Sequence, residues 1–428
     1  MGERSGEGVA PSPDLRRTAS PVSERPPEPR SESAPPPSPA LPPSRGKGGL
    51  SSSPRRILFV FAWLVVGGEE TEVRLLARAL DPAKWRIDVV GCFRKPNMPD
   101  QTHAQLEALG VDVDRTPYDL SFEDTVDYLA RKMAGYDVVV ACQAVPDVYP
   151  ALERLTDPPP LIEHGGLVEE ALRGPKHRTA RYVGVCDSIR AAAAARMADP
   201  SHALEIPSMV DLSEFDPAER AGVRAELGVP DHAPLVGWVG RLDRKKRVQD
   251  FVQAAALVRA RRPDARYVVI GGPDAFMPEY AEELRALASE LGLDGALAFT
   301  GDRADVPRLL SGLDVFVWLA RGEGMPHVIA EAGAARLPVV ATADNGTLQQ
   351  IDDGESGLFV PHEDPPAVAE AVLRLLDDAP LRRRLGEALR AKVEREYAVE
   401  SVVPQWEALF EAVIAERPAA SRPALQAM

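Results

Sequence analysis

Glu323 and Glu331 stand with seven residues between them in RGEGMPHVIAEAGAARLPVVAT (321–342), behind the apolar run DVFVWLA and ahead of a short β-branched run. That order reads as strand, loop, helix, strand, with Pro326 at the first helical position, where its missing N–H costs nothing. Glu323 then lies in a loop at a strand's carboxyl end and Glu331 within the helix, which is where open α/β sheets bind ligands. On spacing alone, two such carboxylates read as a solvated face. Two cations shift that weighting. The apolar strand LVGWVG ends at Gly240 and is followed by Arg241, Leu242 and Asp243, with Lys246 opening the next helix. A cation at a strand end, another at a helix N-terminus and free backbone N–H groups nearby suit a diphosphate. Arg244, Lys245 and Arg247 read as a solvated basic patch. His164, in EHGG, is read as either structural or functional, with Gly165 and Gly166 keeping function open.

These groups need a scaffold, and the chain supplies repeated β and α units. Strands are predicted at 57–63, 87–91, 138–141, 161–163 and 182–185, with Gly67 and Gly68 in a turn before a helix at 70–80. Such repeats imply a parallel sheet covered by helices on both faces. The segment HALEIPSMVDLSEFDP (202–217) breaks the rhythm and marks a domain boundary. A second set follows: strands at 235–240 and 266–272, helices at 246–262 and 279–291, then ALAFTG, a short helix at 307–310 and the glutamate stretch. GLFV (357–360) and helices at 366–377 and 380–395 close the set, and a final helix at 402–414 puts Trp406, Leu409, Phe410 and Val413 on one face. The expected organisation is therefore a disordered tail at 1–53, α/β domains at 54–208 and 209–398, a helix at 399–415 packing back toward the first domain, and a tail at 416–428. Two such domains face each other across a cleft, and ligands are expected there.

Composition narrows the function. At 428 residues and 45% apolar content the chain suits two or three domains with their own cores. Its longest apolar run (57–66) is about half of what a membrane-spanning helix needs, and it reads as a buried strand. No leader of signal-peptide form opens the chain, so a cytoplasmic location is expected. Cys92, Cys142 and Cys186 form no CxxC pair, which argues against a disulfide framework or a zinc knuckle. A net charge of −15 excludes nonspecific nucleic-acid binding. Residues 1–53 hold 12 prolines and almost no aromatic or β-branched residues, too little apolar surface to offset ordering. Asp112 and Asp114 form a DxD in LGVDVDRT, which reads as a short edge strand rather than a metal site.

The series GRLDRKKR, IGGPD, FTG with DVPRLL, DVFV, the glutamate pair, LPVVAT and DGESGLFV resembles the donor-binding half of glycosyltransferase family 4. These are retaining enzymes of the GT-B fold, with two Rossmann-like domains facing each other across a cleft. The first half is similar more loosely, through Gly67-Gly68-Glu69, EHGG, VGVCDSIR and SMVDLSEF; the resemblance spans residues 55–415. It implies an EC 2.4 transferase that moves a sugar from a nucleoside-diphosphate sugar to a glycan, lipid or small-molecule acceptor, with no metal and no other cofactor. It implies that Arg241 and Lys246 bind the diphosphate, that Glu323 contacts the sugar hydroxyls and that Glu331 holds the ribose. Backbone N–H groups of Gly324, Met325 and His327 would face sugar and phosphate, with Gly67 and Gly68 near the phosphates and His164 beside the reacting carbon. A lipid acceptor would bring peripheral membrane contact, for which the acidic chain gives no positive support. A nucleotide-sugar-binding scaffold without turnover and an epimerase on the same fold are the alternatives. Departures from the family pattern are Arg336, where glycine is usual, Asn345, Gly346 and Gln349 after the next strand, and Ser208 and Met209; they are expected to tune donor choice or loop shape.

Overall fold

The structure is a computed structural model that describes residues 53–96 and 98–417. The two expected tails fall almost wholly outside the described residues. The first sheet is built from β1 (Arg55–Trp63), β2 (Trp85–Phe93), β3 (Asp112–Asp114), β4 (Val138–Cys142), β5 (Leu161–Gly165), β6 (Thr179–Gly184) and β7 (Ala203–Glu205). The second is built from β8 (Leu235–Val239), β9 (Arg266–Ile270), β10 (Leu297–Phe299), β11 (Val315–Trp318), β12 (Val339–Thr342) and β13 (Leu358–Val360). The strand orders are β3-β2-β1-β4-β5-β6-β7 and β10-β9-β8-β11-β12-β13, and neighbours pair in parallel. Each order reverses once, between β1 and β4 and between β8 and β11. Crevices for ligands open at the carboxyl ends of strands at such reversals.

The unbroken apolar run of β1 follows from burial of both its faces. Ile57, Phe59 and Phe61 pack with Val402, Trp406 and Phe410 of the last helix, Val399–Glu416. Leu58 and Val60 point the other way, onto Val126, Leu129 and Val148. The C-terminal helix thus lies on the first sheet although the chain reaches it from the second. Two crossing segments make that return. Val210 N–H donates to Tyr397 O at 2.8 Å and Val399 N–H to Val210 O at 3.0 Å, so the outgoing and incoming linkers run side by side.

Two local expectations are corrected. Lys246 does not open the helix: it ends a 3₁₀ turn, Arg244–Lys246, and Arg247 at φ 55° separates that turn from the helix Val248–Arg261. The Asp243 carboxylate accepts from the N–H groups of Lys245 and Lys246, which makes the turn the better-satisfied conformation. Pro326 is the N-cap (φ −65°, ψ 120°) of the helix His327–Ala334 rather than its first residue. Arg336 follows that helix at φ 60°, a left-handed position that favours glycine. Its side chain pairs with Glu387, at the end of the helix away from the glutamate loop, so this departure shapes a turn.

Candidate active site

At the reversal of the second sheet, Gly240 turns the chain out of β8 at φ 155°. A Cβ on neighbouring Gly271 would lie 1.9 Å from Gly240 O, so the two backbones meet where only hydrogens fit. Arg241 emerges there, half-exposed, with its Nε 2.7 Å from Asp274 Oδ2 and a terminal nitrogen 3.7 Å from Asp243 Oδ2. Asp274 is buried and unforeseen in the sequence; it engages Nε of the guanidinium and fixes the position of the side chain. Lys246 Nζ donates to Glu323 Oε2 at 2.6 Å. Thus two residues assigned on separate motifs meet. Arg244 pairs with Glu283 at the surface, whereas Arg247, expected in the same solvated patch, is part-buried and pairs with the buried Asp250.

The Glu323 loop is held from below. Asn345 Nδ2 donates to Glu323 O at 2.8 Å, Gly346 N–H to Gly324 O at 2.6 Å, and Gly322 N–H to the Asp344 carboxylate. Ser208 Oγ donates to Met325 O at 3.2 Å, so Ser208 and Asn345 brace this loop. Gln349 instead joins the two halves: its Oε1 accepts from Asp187 N–H at 2.9 Å and its Nε2 donates to Glu205 Oε1 at 2.9 Å. Gly324 and Met325 approach the helix start, where the first N–H groups have no partner within the helix. Glu331 sits one turn on, partly buried. Burial pushes its carboxyl up to about 7, with Arg74 of the first domain working against the shift.

The first domain faces this loop with His164, Gly67 and Gly68. His164, on β5, is buried; its Nδ1 is 4.0 Å from Cys142 Sγ, its ring meets Trp406 edge-on at 5.3 Å, and its Nε2 has no hydrogen-bond partner among the described residues. Burial, and then the nearby His327, lowers its pKa to about 4, so the imidazole is neutral near pH 7. Gly67 is extended (φ −157°), and what asks for glycine is space: a Cβ there would lie 2.6 Å from Glu70 Oε2, and one on Gly68 would lie 2.9 Å from His327 Cδ2. The His327 imidazole therefore points at the first domain, with Nε2 3.6 Å from Glu72 Oε2. Only its backbone is placed at the helix start beside Glu323.

The glutamates of GGEETE are a further set that sequence reading passed over. Glu70 Oε1 accepts from Val65 N–H at 3.0 Å and shapes the glycine loop, and Glu72 Oε1 accepts from Trp406 Nε1 at 3.2 Å. Burial pushes Glu70 up to about 7 and Glu72 to about 8, and it raises Glu69 and Glu170 as well. Between the ordinary carboxylate range and these values the folded chain holds more protons than the unfolded one, so stability falls as pH rises through that window. His164 and His327, whose pKa values are lowered, act in the opposite sense only below the ordinary histidine value of about 6.5. The melting temperature is accordingly expected to be higher near pH 6.5 than near pH 8.5 (). Glu72→Gln, which keeps the acceptor for Trp406, should flatten the decline. A melting temperature that rises over this range would overturn the assignment.

Asp112 and Asp114 lie on β3, the edge strand of the first sheet. Burial works to raise Asp114, but hydrogen bonds from Lys132 and Tyr128 outweigh it and hold the carboxyl at about 2. Among the described residues no group of three or more His, Cys, Asp or Glu is arranged to hold a metal ion, and no helix is long and apolar enough to cross a membrane.

Residues 219–392 match the family model described as glycosyl transferases group 1. The chain is 35% identical over 194 residues to a D-inositol 3-phosphate glycosyltransferase of Stackebrandtia nassauensis, a match covering 44% of each protein. It is 35% identical over 172 residues to an alpha-D-kanosaminyltransferase of Streptomyces kanamyceticus, covering 40% of this chain and 45% of that protein. The matched stretch is thus less than half the length of these curated relatives. Among solved structures, Anabaena HepE in complex with UDP-glucose superposes with a TM-score of 0.73 at 20% identity, over 83% of this chain and 99% of that one. Sucrose-phosphate synthase of Thermosynechococcus elongatus gives 0.68 at 22% identity, over 84% and 100%. With two Rossmann-like parallel sheets in the arrangement of these proteins, the chain has the GT-B fold, and its residues 219–392 are similar to the glycosyl transferases group 1.

Proposed function

We propose that this chain is a glycosyltransferase that moves a sugar from a nucleoside-diphosphate sugar to a glycan, lipid or small-molecule acceptor with retention at the anomeric carbon, without a metal or other cofactor, in the cytoplasm. The observation that carries the reading is the 2.6 Å contact between Lys246 and Glu323 at the carboxyl ends of β8 and β11. Arg241 and Lys246 would bind the diphosphate and stabilise the charge that grows on it as the bond from anomeric carbon to phosphate oxygen breaks. Glu323 would turn to the sugar hydroxyls, Glu331 to the ribose, and the N–H groups of Gly324, Met325 and His327 to phosphate and sugar. Gly67 and Gly68 would bring the first domain against the donor. His164, neutral and with a free Nε2, suits a hydrogen bond to the sugar beside the reacting carbon.

The bonding electrons leave with the diphosphate, the acceptor oxygen adds to the anomeric carbon from the same face, and its proton passes to the departing phosphate oxygen. The relatives' names as transferases and the UDP and UDP-glucose bound by HepE support a donor of this class, with uracil the first base to try. Incubation with UDP-, GDP- and ADP-sugars, followed by assay of nucleoside diphosphate, tests the proposal. Slow release from one donor, accelerated by an acceptor, is expected. Thermal stabilisation by a nucleotide with no release would favour a binding scaffold, and a changed sugar still attached to its nucleotide would favour an epimerase.

A further inference from the structure

Beneath the two cations the second sheet carries a pair of indoles. Trp238 lies on β8 and Trp318 ends β11; the strands are neighbours and both side chains are buried. The rings stack with centroids 5.8 Å apart and planes 17° from parallel, and neither indole N–H has a hydrogen-bond partner among the described residues. Gly240 crosses their edges: a Cβ there would lie 2.9 Å from Trp238 and 3.3 Å from Trp318. The backbone that delivers Arg241 is therefore laid over this stack. Lys246 Nζ stands 5.0 Å from the Trp318 ring centroid. Phenylalanine or leucine would fill a dry interior without burying an unpaired N–H, so packing alone does not account for two indoles here.

We propose that Trp318, backed by Trp238, is a positioning residue for Lys246, whose ammonium it holds over its ring face while Lys246 exchanges Glu323 for the diphosphate of the donor. The inference rests on the function proposed above, in which Glu323 is needed by the sugar and Lys246 by the phosphates. Their present ion pair must then open when the donor binds. A lysine released from the Glu323 carboxylate regains the rotamer freedom of a long flexible stem. The ring is a partner it need not give up. An aromatic face attracts the cation through its quadrupole without occupying any of the three N–H donors, and without neutralising the charge that the phosphates require. A second carboxylate in its place would do both.

The test compares Trp318→Leu and Trp318→Phe with wild type, for donor turnover and for binding of UDP and of uridine, and adds fluorinated tryptophans placed at position 318 by nonsense suppression. In Trp318→Leu the donor KM and the UDP Kd should rise about tenfold, with kcat falling less, and in Trp318→Phe by a smaller factor (). Uridine, which lacks phosphate, should bind all versions alike. Fluorine draws density from the ring with little change in shape, so UDP affinity should fall stepwise with fluorine number, even if Trp318→Leu does not fold. Equal losses for UDP and uridine, or UDP affinity indifferent to fluorination, would overturn the inference while leaving the proposed function standing. A wild-type protein that binds none of the nucleoside diphosphates would overturn both.

Discussion

Lys246→Ala is expected to lower nucleoside-diphosphate release by about 10²–10³-fold while leaving the melting temperature close to that of wild type (). The size follows from what Lys246 does in the charge pattern. Its ammonium is part-buried, 2.6 Å from Glu323 Oε2, in a cleft whose other near cation, Arg241, already has Asp274 and Asp243 beside it. Removing it deletes the donor to a growing negative charge and also strips Glu323 of its counter-ion, so a bare carboxylate faces the incoming diphosphate. Both effects are larger in the transition state than in the bound substrate, so the loss should fall on kcat as well as KM. The fold should tolerate the change because Lys246 lies outside the apolar core of the second sheet and the 3₁₀ turn is held by Asp243, not by the lysine side chain. Release assays on wild type and variant, with a melt for each, decide it. A variant that turns over at the wild-type rate would remove Lys246 from the diphosphate.

Much of this site was legible in the sequence because it is local. Unbroken apolar runs of strand length followed by a loop and an apolar helix placed Glu323 and Glu331 on their elements, and the same logic put Arg241 at a strand end. What was hidden depends on chain segments meeting. Asp274 is an ordinary aspartate in IGGPD until β9 is laid beside β8 and its carboxylate reaches Arg241. Nothing in GGEETE signals burial of its glutamates; Glu72 becomes buried, with a raised pKa, because Trp406 of the last helix and His327 of the second domain pack over it. The helix start at Lys246 was misplaced by a different cause. Arg247 takes a left-handed backbone, for which arginine carries no signal in its side chain. At Arg336 the resemblance did carry one: glycine is the expected residue, and φ 60° is the physical reason for it.

Gly324→Ala is expected to cut turnover by about 10²-fold or more while sparing nucleotide binding to the second domain, because a misplacement of about 1 Å at a reacting centre is enough for such a loss (). Gly324 is not among the residues with positive φ, so alanine suits its backbone. The obstacle is the other domain. A Cβ at position 324 would lie 2.1 Å from Gly166 O and 2.9 Å from Ile189 Cδ1. A carbonyl in the backbone beside β5 cannot rotate away as a flexible side chain can, so the added methyl must hold the domains apart. His164 lies on β5, two residues before Gly166, so the wedge would also draw the imidazole away from Glu323 and the helix start. Gly166→Ala is the natural control: its Cβ would meet nothing nearer than Glu69 Oε1 at 3.5 Å, an ordinary contact, and should be tolerated far better. Donor turnover, nucleoside-diphosphate affinity and the radius of gyration with and without donor separate the cases. Loss of turnover with retained affinity and a larger radius in Gly324→Ala supports closure onto Gly166 as a requirement of the chemistry; wild-type turnover in that variant would show that the close approach of Gly324 and Gly166 has no part in it.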